Sequence, residues 1–181
     1  MKFFFAESKI FVLTIAVMVV VSAFNNNAFS QNNKKNNSKE TSSTKISDNF
    51  DSYTFRIFTL INAERIKSRL IELSWDDDVA KIAVEYSKKM AKENFFGHFD
   101  SDGRNVLERA KSAKLRDWSK IGENLFSIEQ TEKFDGFAVK NWMKSLTHRQ
   151  NILDPEWTAT GIGIGESKDG EIFITQVFIK R

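Results

Sequence analysis

The stretch Thr158–Lys180, "TATGIGIGESKDGEIFITQVFIK", decides the fold class of this chain. Its two halves, "TATGIGIGES" and "EIFITQVFIK", alternate at a period of two and carry β-branched and aromatic residues, which is typical of strands. The "KDG" between the halves is a hairpin turn signal. The stretch therefore predicts two antiparallel strands.

A lone hairpin is marginally stable, so this one needs another strand or a layer of helices. The segment "KIGENLFSI", residues 120–128, is a candidate third strand. The "GIGIG" run does not predict a dinucleotide-binding loop, because it lacks the G-x-G-x-x-G spacing and leads into a hairpin instead of a helix.

Helical periodicity dominates the part of the chain that precedes the hairpin. In residues 76–94, "DDDVAKIAVEYSKKMAKEN", apolar residues recur at helix spacing, and three aspartates at the start complement the helix dipole. The same period predicts helices in residues 53–73, 105–113 and around 134–145. The first of these should bury Tyr53, Ile57, Leu60, Ile61 and Ile71. The result is an α+β domain with helices packed on a small antiparallel sheet.

The first fifty residues differ from the rest in composition. A lysine-bearing start, a short uncharged apolar run and the small residues Ala28 and Ser30 before a cleavage point are typical of a signal peptide. We interpret residues 1–30 as that signal, 31–49 as a disordered polar linker and 50–181 as the folded domain. This predicts a secreted, extracellular or periplasmic protein. The alternative is an uncleaved N-terminal anchor, which would be its membrane contact.

Charge and cysteine content exclude several classes of function. The net charge is +3, but the first 49 residues hold six of the 27 basic and three of the 24 acidic residues, which leaves 21 of each in the domain. A neutral domain argues against a nucleic-acid partner, because phosphate binding needs a concentrated basic face. With no cysteine, the chain has no disulfide and no thiolate nucleophile or ligand.

The chain has only two histidines, and both lie in polar segments between predicted elements. His98 stands in "FFGHFDSDGRN", Glu123 in "IGENLF" and His148 in "SLTHRQNIL". Taken singly, each has an ordinary explanation. His98 could be a hydrogen-bonding residue past a helix end, Glu123 a cap or a member of an ion pair, and His148 part of a short helix. The common hydrolase motifs, such as G-x-S-x-G and H-E-x-x-H, are absent.

Taken together, these segments resemble a known family. "LINAERIKSRLIELSWDDDVAKIAVEYSKKM", "FFGHFDSDG", "GENLF", "WMKSLTHRQNIL" and "TGIGIG" follow the order and approximate spacing of the bacterial branch of the CAP superfamily. These are SCP-like extracellular domains related to cysteine-rich secretory proteins, antigen 5 and pathogenesis-related proteins. The resemblance covers residues 50–181, and it implies an α-β-α sandwich with an open cavity lined by two histidines and two acidic residues.

Residue by residue, the resemblance assigns His98, Glu123 and His148 to that cavity. The position of the second acid is occupied here by Ser145, as it often is in bacterial members, and the family's disulfides are missing. Two imidazoles and a carboxylate are the ligand set of an open zinc site, so His98, Glu123 and His148 are expected to bind zinc weakly.

Other positions that match the family are expected to play supporting roles. We expect Asn124, Arg149 and Asn151 to orient the cavity residues through hydrogen bonds to backbone. Asn62 and Arg65 are predicted to be structural, with Arg65 a candidate for an internal ion pair. The core is expected to include Trp75, Trp142 and Trp157.

Three functions remain open at this stage. The first is a non-enzymatic binding module, with no catalytic residue, for a lipid, an envelope component or a host molecule; the faint link to sterols and lipids comes from eukaryotic relatives. The second is a metal-dependent peptidase or esterase with Glu123 as general base. The third is a structural or adhesive spacer of the cell envelope.

Overall fold

The computed structural model describes residues 50–129 and 134–181. The predicted signal peptide and linker lie outside these residues. The described elements, in chain order, are α1 Phe50–Lys67, β1 Ser74–Trp75, α2 Asp77–Glu93, α3 Val106–Ser112, β2 Lys120–Glu129, α4 Phe134–Lys144, α5 Leu146–Ile152, β3 Ala159–Glu166 and β4 Glu171–Lys180. None of the helices in the described ranges has both the length and the apolar character needed to cross a membrane.

The predicted hairpin and third strand are confirmed. The sheet has the order β1-β3-β4-β2, in which β4 pairs antiparallel with β3 on one side and with β2 on the other. The register sets Gly163 opposite Thr175 and Glu123 opposite Val177. The two-residue strand β1, which the sequence did not predict, pairs parallel with β3 through Ser74 and Trp75.

Helices cover both faces of this sheet, as expected for an α-β-α sandwich. On one face, α1 and α4 bury apolar side chains such as Ile57, Phe134 and Trp142 against β3 and β4 residues such as Ile162 and Ile174. On the other face, α2 packs on the strands in two smaller clusters. The members of these clusters include Val79, Ala83, Tyr86, Met90, Phe173, Val177 and Ile179.

The glycines of β3 allow α2 to lie directly on the sheet. A Cβ built on Gly161 would stand 2.2 Å from the backbone nitrogen of Ala80, and one on Gly163 would stand 2.1 Å from that of Val84. Gly165 approaches Ser87 in the same way, with 2.5 Å from a built Cβ to the Ser87 carbonyl oxygen. Any side chain at these positions would displace the helix, so the "GIGIG" run is a helix-packing surface.

Two helices begin with side-chain caps. The side chain of Asp76 accepts hydrogen bonds from the backbone nitrogens of Asp78 and Val79 at the start of α2. Asn105 and Glu108 form a reciprocal capping box at the start of α3. These caps satisfy backbone donors that have no partner within the helix.

Three expectations for the core were wrong. Helix α1 ends at Lys67, so Ile71 lies beyond it and is 88% exposed, and Leu60 is 37% exposed. Trp75 is 38% exposed because it lies on the short edge strand β1, where its indole nitrogen donates to Asp77. Trp142 and Trp157 are buried as expected.

Asn62 and Arg65 of α1 are buried and hold the following segment of chain. Asn62 exchanges two hydrogen bonds with the backbone of Leu73. Arg65 donates to the carbonyl oxygens of Ile71, Ile152 and Asp154. The expected ion pair is not formed: within the described ranges no carboxylate lies close enough to Arg65, and the Asp154 carboxylate contacts Lys120 instead.

Candidate functional site

Three different elements carry the predicted cavity residues. His98 lies in the loop between α2 and α3, Glu123 lies on the edge strand β2, and His148 lies in the short helix α5. The chain separates His98 from His148 by fifty positions, so only the tertiary fold can bring them near each other. Ser145 immediately precedes α5, one turn before His148, and bonds Thr147 through its hydroxyl at 3.3 Å.

His98 and Glu123 are in direct contact. The imidazole Nδ1 of His98 lies 2.8 Å from Oε1 of Glu123. The two side chains differ sharply in exposure, with 53% of His98 but only 2% of Glu123 accessible to solvent. The carboxylate is therefore a buried support, and the imidazole is the group that a ligand can touch.

A second cation, which the sequence reasoning missed, binds the other oxygen of Glu123. Nη2 of Arg109, a residue of α3, lies 2.5 Å from Glu123 Oε2, and the Arg109 side chain is only 9% exposed. Both oxygens of the carboxylate are thus engaged. A buried carboxylate with a guanidinium partner is far less costly than one without, because desolvation is offset by the pair.

Arg109 also fixes the loop that carries His98. Its Nη1 donates to the carbonyl oxygens of Arg104 and His98, at 2.9 Å and 3.3 Å. Its guanidinium lies 3.3 Å above the ring of Tyr86 on α2, a cation–π contact. The Tyr86 hydroxyl in turn donates to the carbonyl of Gly97. Burial and nearby carboxylates raise the pKa of Tyr86 to about 12, although the positive charge of Arg109 opposes this rise.

The remainder of the loop is organised by the buried carboxylate of Asp100. It accepts hydrogen bonds from the backbone nitrogens of Asp102 and Arg104 and contacts the side chains of Arg104 and Lys89. Burial by itself would raise the pKa of Asp100. The hydrogen bonds from Arg104 and Lys89 outweigh burial and hold that pKa at about 2.

His148 is partly buried in the short helix α5. Burial lowers the pKa of His148 below its ordinary value of 6.5, and the charge of His98 lowers it further. A neutral imidazole at this position keeps a lone pair that can accept a hydrogen bond or bind a metal.

The three expected supporting residues have different surroundings. Asn124 donates to the carbonyl oxygen of His148 and accepts from Asn151, which also donates to the carbonyl oxygen of Glu123. These bonds tie α5 to the strand that carries Glu123. Arg149 differs, because its side chain is exposed and has no hydrogen bond to another described residue.

A cleft of about 470 Å³ opens beside His98 and Glu123. Most of its walls are apolar and come from the loop, α3, the segment before β2 and the start of β2. The apolar lining consists of Phe99, Val106, Leu107, Trp118 and Ile121. A second cleft, of about 660 Å³, is lined by Tyr86, Arg109 and other charged side chains of both signs.

The donor set does not fit a metal ion in the arrangement observed. In residues 50–129 and 134–181, no group of three or more His, Asp or Glu side chains stands where it could hold one. Glu123 would have to give up His98 or Arg109 to become a ligand. This arrangement argues against the weak zinc binding predicted for His98, Glu123 and His148, which a binding measurement must test.

Little in the sequence indicated that Arg109 and Tyr86 belong to the site. Arg109 lies in "NVLERAKSA" as one of several charged residues of a short amphipathic helix, and Tyr86 fits the apolar stripe of α2. The one available hint is that "NVLERA" lies between the two candidate segments of His98 and Glu123. A helix in that position must pack near both.

Comparison with known proteins agrees with this architecture. Residues 58–178 match the family model described as CAP, Cysteine-rich secretory protein family. The chain is 33% identical over 138 residues to the uncharacterized protein YkwD of Bacillus subtilis (strain 168), covering 76% of this chain and 51% of that protein. It is 31% identical over 127 residues to the uncharacterized membrane protein YlbC of the same organism, covering 70% of this chain and 34% of that protein.

A solved structure shows the same fold. An extracellular protein with an SCP domain from Bacillus anthracis (strain Ames) superimposes with a TM-score of 0.65 at 29% identity, over 80% of this chain and 45% of that one. The chain thus spans about half or less of the length of these three proteins. Since the family model covers most of the described domain and the fold agrees, this chain belongs to the CAP, or cysteine-rich secretory protein, family.

Proposed function

We propose that this domain is an exported, non-enzymatic binding module that holds a small amphiphile in the cleft beside His98. The observation that carries the proposal is the position of the half-exposed His98 ring, fixed from behind by Glu123, at a cleft with apolar walls. Mostly apolar pockets with a few fixed polar groups are typical of small-molecule sites.

The polar contact offered to the ligand follows from the contact between His98 and Glu123. An ionised carboxylate only accepts hydrogen bonds, so the neutral His98 ring carries its proton on Nδ1 and donates it to Glu123. This leaves Nε2 with a lone pair for a hydroxyl or amine of the ligand. The apolar body of the ligand would lie against Phe99, Leu107 and Trp118.

This chemistry suits a lipid or an apolar component of the cell envelope, and a host molecule of the same character would also fit. Export is supported by the composition of residues 1–30 and by the extracellular description of the Bacillus anthracis relative. The hydrolase alternative requires Glu123 as a general base, but both of its oxygens already contact other side chains. We therefore do not adopt it.

The test is native purification followed by mass spectrometry of organic extracts, with two matched leucine variants. Leu107 lines the cleft and Leu60 lies on α1, and both are 37% exposed. We expect an amphiphile to co-purify with the wild type and with Leu60→Asp, but not with Leu107→Asp. Equal retention by both variants would contradict the location, and a wild type that carries no amphiphile and gains no thermal stability from any would contradict the function.

A further inference from the structure

We infer that Arg109 is the built-in cation of this site: its guanidinium occupies the position on Glu123 that a metal ion would need, and it holds the His98 loop in place. The inference goes beyond the proposed function, because it concerns the protein alone and does not depend on any ligand. It also gives a physical reason why the expected zinc ligands do not form a metal cluster.

The first step is the geometry around the guanidinium. Arg109 contacts Glu123 through Nη2 and the carbonyls of His98 and Arg104 through Nη1, while its plane lies over Tyr86. One side chain thus joins strand β2, helix α2 and two points of the His98 loop. A planar guanidinium has several donors in fixed directions, which lysine does not have.

The second step is the charge balance. Glu123 is buried, and Arg109 is the cation with the least exposed side chain among those in the described ion pairs. The neighbouring Lys89 and Arg104 are committed to Asp100 and Asp102. Arg109 is therefore the permanently charged partner of the Glu123 carboxylate.

The third step is exclusion. A metal ion bound by His98 and Glu123 would lie close to the positive charge of Arg109 in a poorly solvated place, where like charges repel strongly. It would also need carboxylate oxygens that already accept from Arg109 and His98. The residues that could bind zinc are present, but Arg109 prevents them from doing so.

The decisive experiment is zinc titration by calorimetry on the purified protein, its Arg109→Met variant and the Arg109→Met, His98→Ala double variant. We expect no His98-dependent zinc binding in the wild type, measurable binding in Arg109→Met, and loss of that binding in the double variant. Zinc binding by the wild type that His98→Ala abolishes would overturn the inference. A folded Arg109→Met variant that binds no zinc would overturn it as well.

Arg104→Met is the matched control, because Arg104 belongs to the same loop and contacts carboxylates but does not touch Glu123. It should remain without His98-dependent zinc binding. If both arginine variants gained zinc equally, a general loss of positive charge would explain the gain, and the specific role of Arg109 would be refuted.

A conservative variant tests the positioning role even if Arg109→Met does not fold. Arg109→Lys keeps the charge but replaces the planar fork, which reaches Glu123 and the two carbonyl oxygens from separate nitrogens, by a single ammonium group. We expect it to exclude zinc as the wild type does, while the backbone amides of Gly103 and Arg104, both bonded within the loop, exchange about tenfold faster with solvent. Unchanged amide exchange would show that the loop does not depend on Arg109.

Discussion

Helix α2 meets the rest of the domain in two very different ways along its length. Its face toward the sheet carries Ala80, Val84 and Ser87 and lies against the β3 glycines at distances that leave no room for a side chain. Its flank toward the site carries Tyr86 and Lys89, which touch Arg109 and the His98 loop through charges and hydrogen bonds. The first contact depends on shape, and the second depends on charge.

The comparison shows how one rigid helix can serve both stability and binding. A close-packed contact tolerates almost no change in volume, because displaced backbone cannot relax locally. A polar network tolerates changes of shape better, but it fails when one partner of a buried charge is removed. Substitutions on the two sides should therefore fail for different reasons.

The largest effect is expected from Arg109→Met on the polar side. Removing the guanidinium leaves the buried Glu123 carboxylate without its cation, which should lower the free energy of unfolding by about 4 kcal/mol at pH 7. Urea unfolding followed by circular dichroism measures it. The Arg109→Met, Glu123→Gln double variant should recover most of the loss, since it removes the unpaired charge. A double variant no more stable than the single one would point to lost packing on Tyr86 instead.

At the contact between α2 and the sheet, Gly163→Ala should lower the free energy of unfolding by about 3 kcal/mol, because the new methyl group would overlap the backbone of α2 at Val84. Gly136 in α4 is the matched control, with nothing within 4 Å of a built Cβ. Gly136→Ala should raise the free energy of unfolding by about 0.5 kcal/mol through helix propensity. Equal effects from the two substitutions in urea unfolding would mean that β3 and α2 are not in close contact.

The sequence predicted the contact between α2 and the sheet better than the polar contacts of α2 with the site. The hairpin, the third strand and the capped helix α2 follow from local periodicity and turn chemistry, and all are present. The requirement for glycine in β3 was not predictable, because it arises only once α2 crosses the strand. The prediction from periodicity was wrong beyond the end of α1. Ile71 continues the helical pattern of apolar residues, but the helix ends at Lys67 and Ile71 is exposed.

At the site, the sequence identified His98 and Glu123, and the structure brings them into contact. The zinc prediction was made from the family resemblance and the types of the ligands, and it could not include Arg109. A buried arginine has no local signature, because its burial depends on a partner fourteen positions away and on the ring of Tyr86. Arg65 shows the same difficulty, since it binds carbonyl oxygens where an ion pair was expected.

A smaller effect, which depends on pH, is expected from Asp100→Asn. The pKa of Asp100 is held at about 2, below its ordinary 3.8, so its charge stabilises the fold above pH 4 and this contribution is lost as pH falls toward 2. The variant should be less stable than the wild type by about 1 to 2 kcal/mol at pH 7, and the difference should shrink between pH 4 and pH 2. Urea unfolding at several pH values measures this.

Asp102→Asn is the control for that prediction, because Asp102 contacts the same Lys89 and Arg104 at 2.7 Å but is 61% exposed. Solvent weakens such a pair, so its loss should cost less than about 0.5 kcal/mol. If the exposed aspartate proved as important as the buried one, the loop would be held by its charge pairs and the backbone bonds of Asp100 would be secondary.

The smallest effect concerns the two histidines and tests whether they share one site. The pKa of His148 lies below 6.5 because of burial and, to a lesser extent, the charge of His98. His98→Gln should raise the His148 pKa toward 6.5 without reaching it, since burial remains. Proton NMR titration measures the His148 pKa directly, because the variant contains a single histidine.

A lowered histidine pKa means that folding opposes protonation of His148, so the fold loses stability as pH falls below 6.5. His98→Gln should reduce that loss. An unchanged midpoint would place the two rings too far apart to contact one ligand, and the binding site would then consist of His98 and the apolar cleft alone.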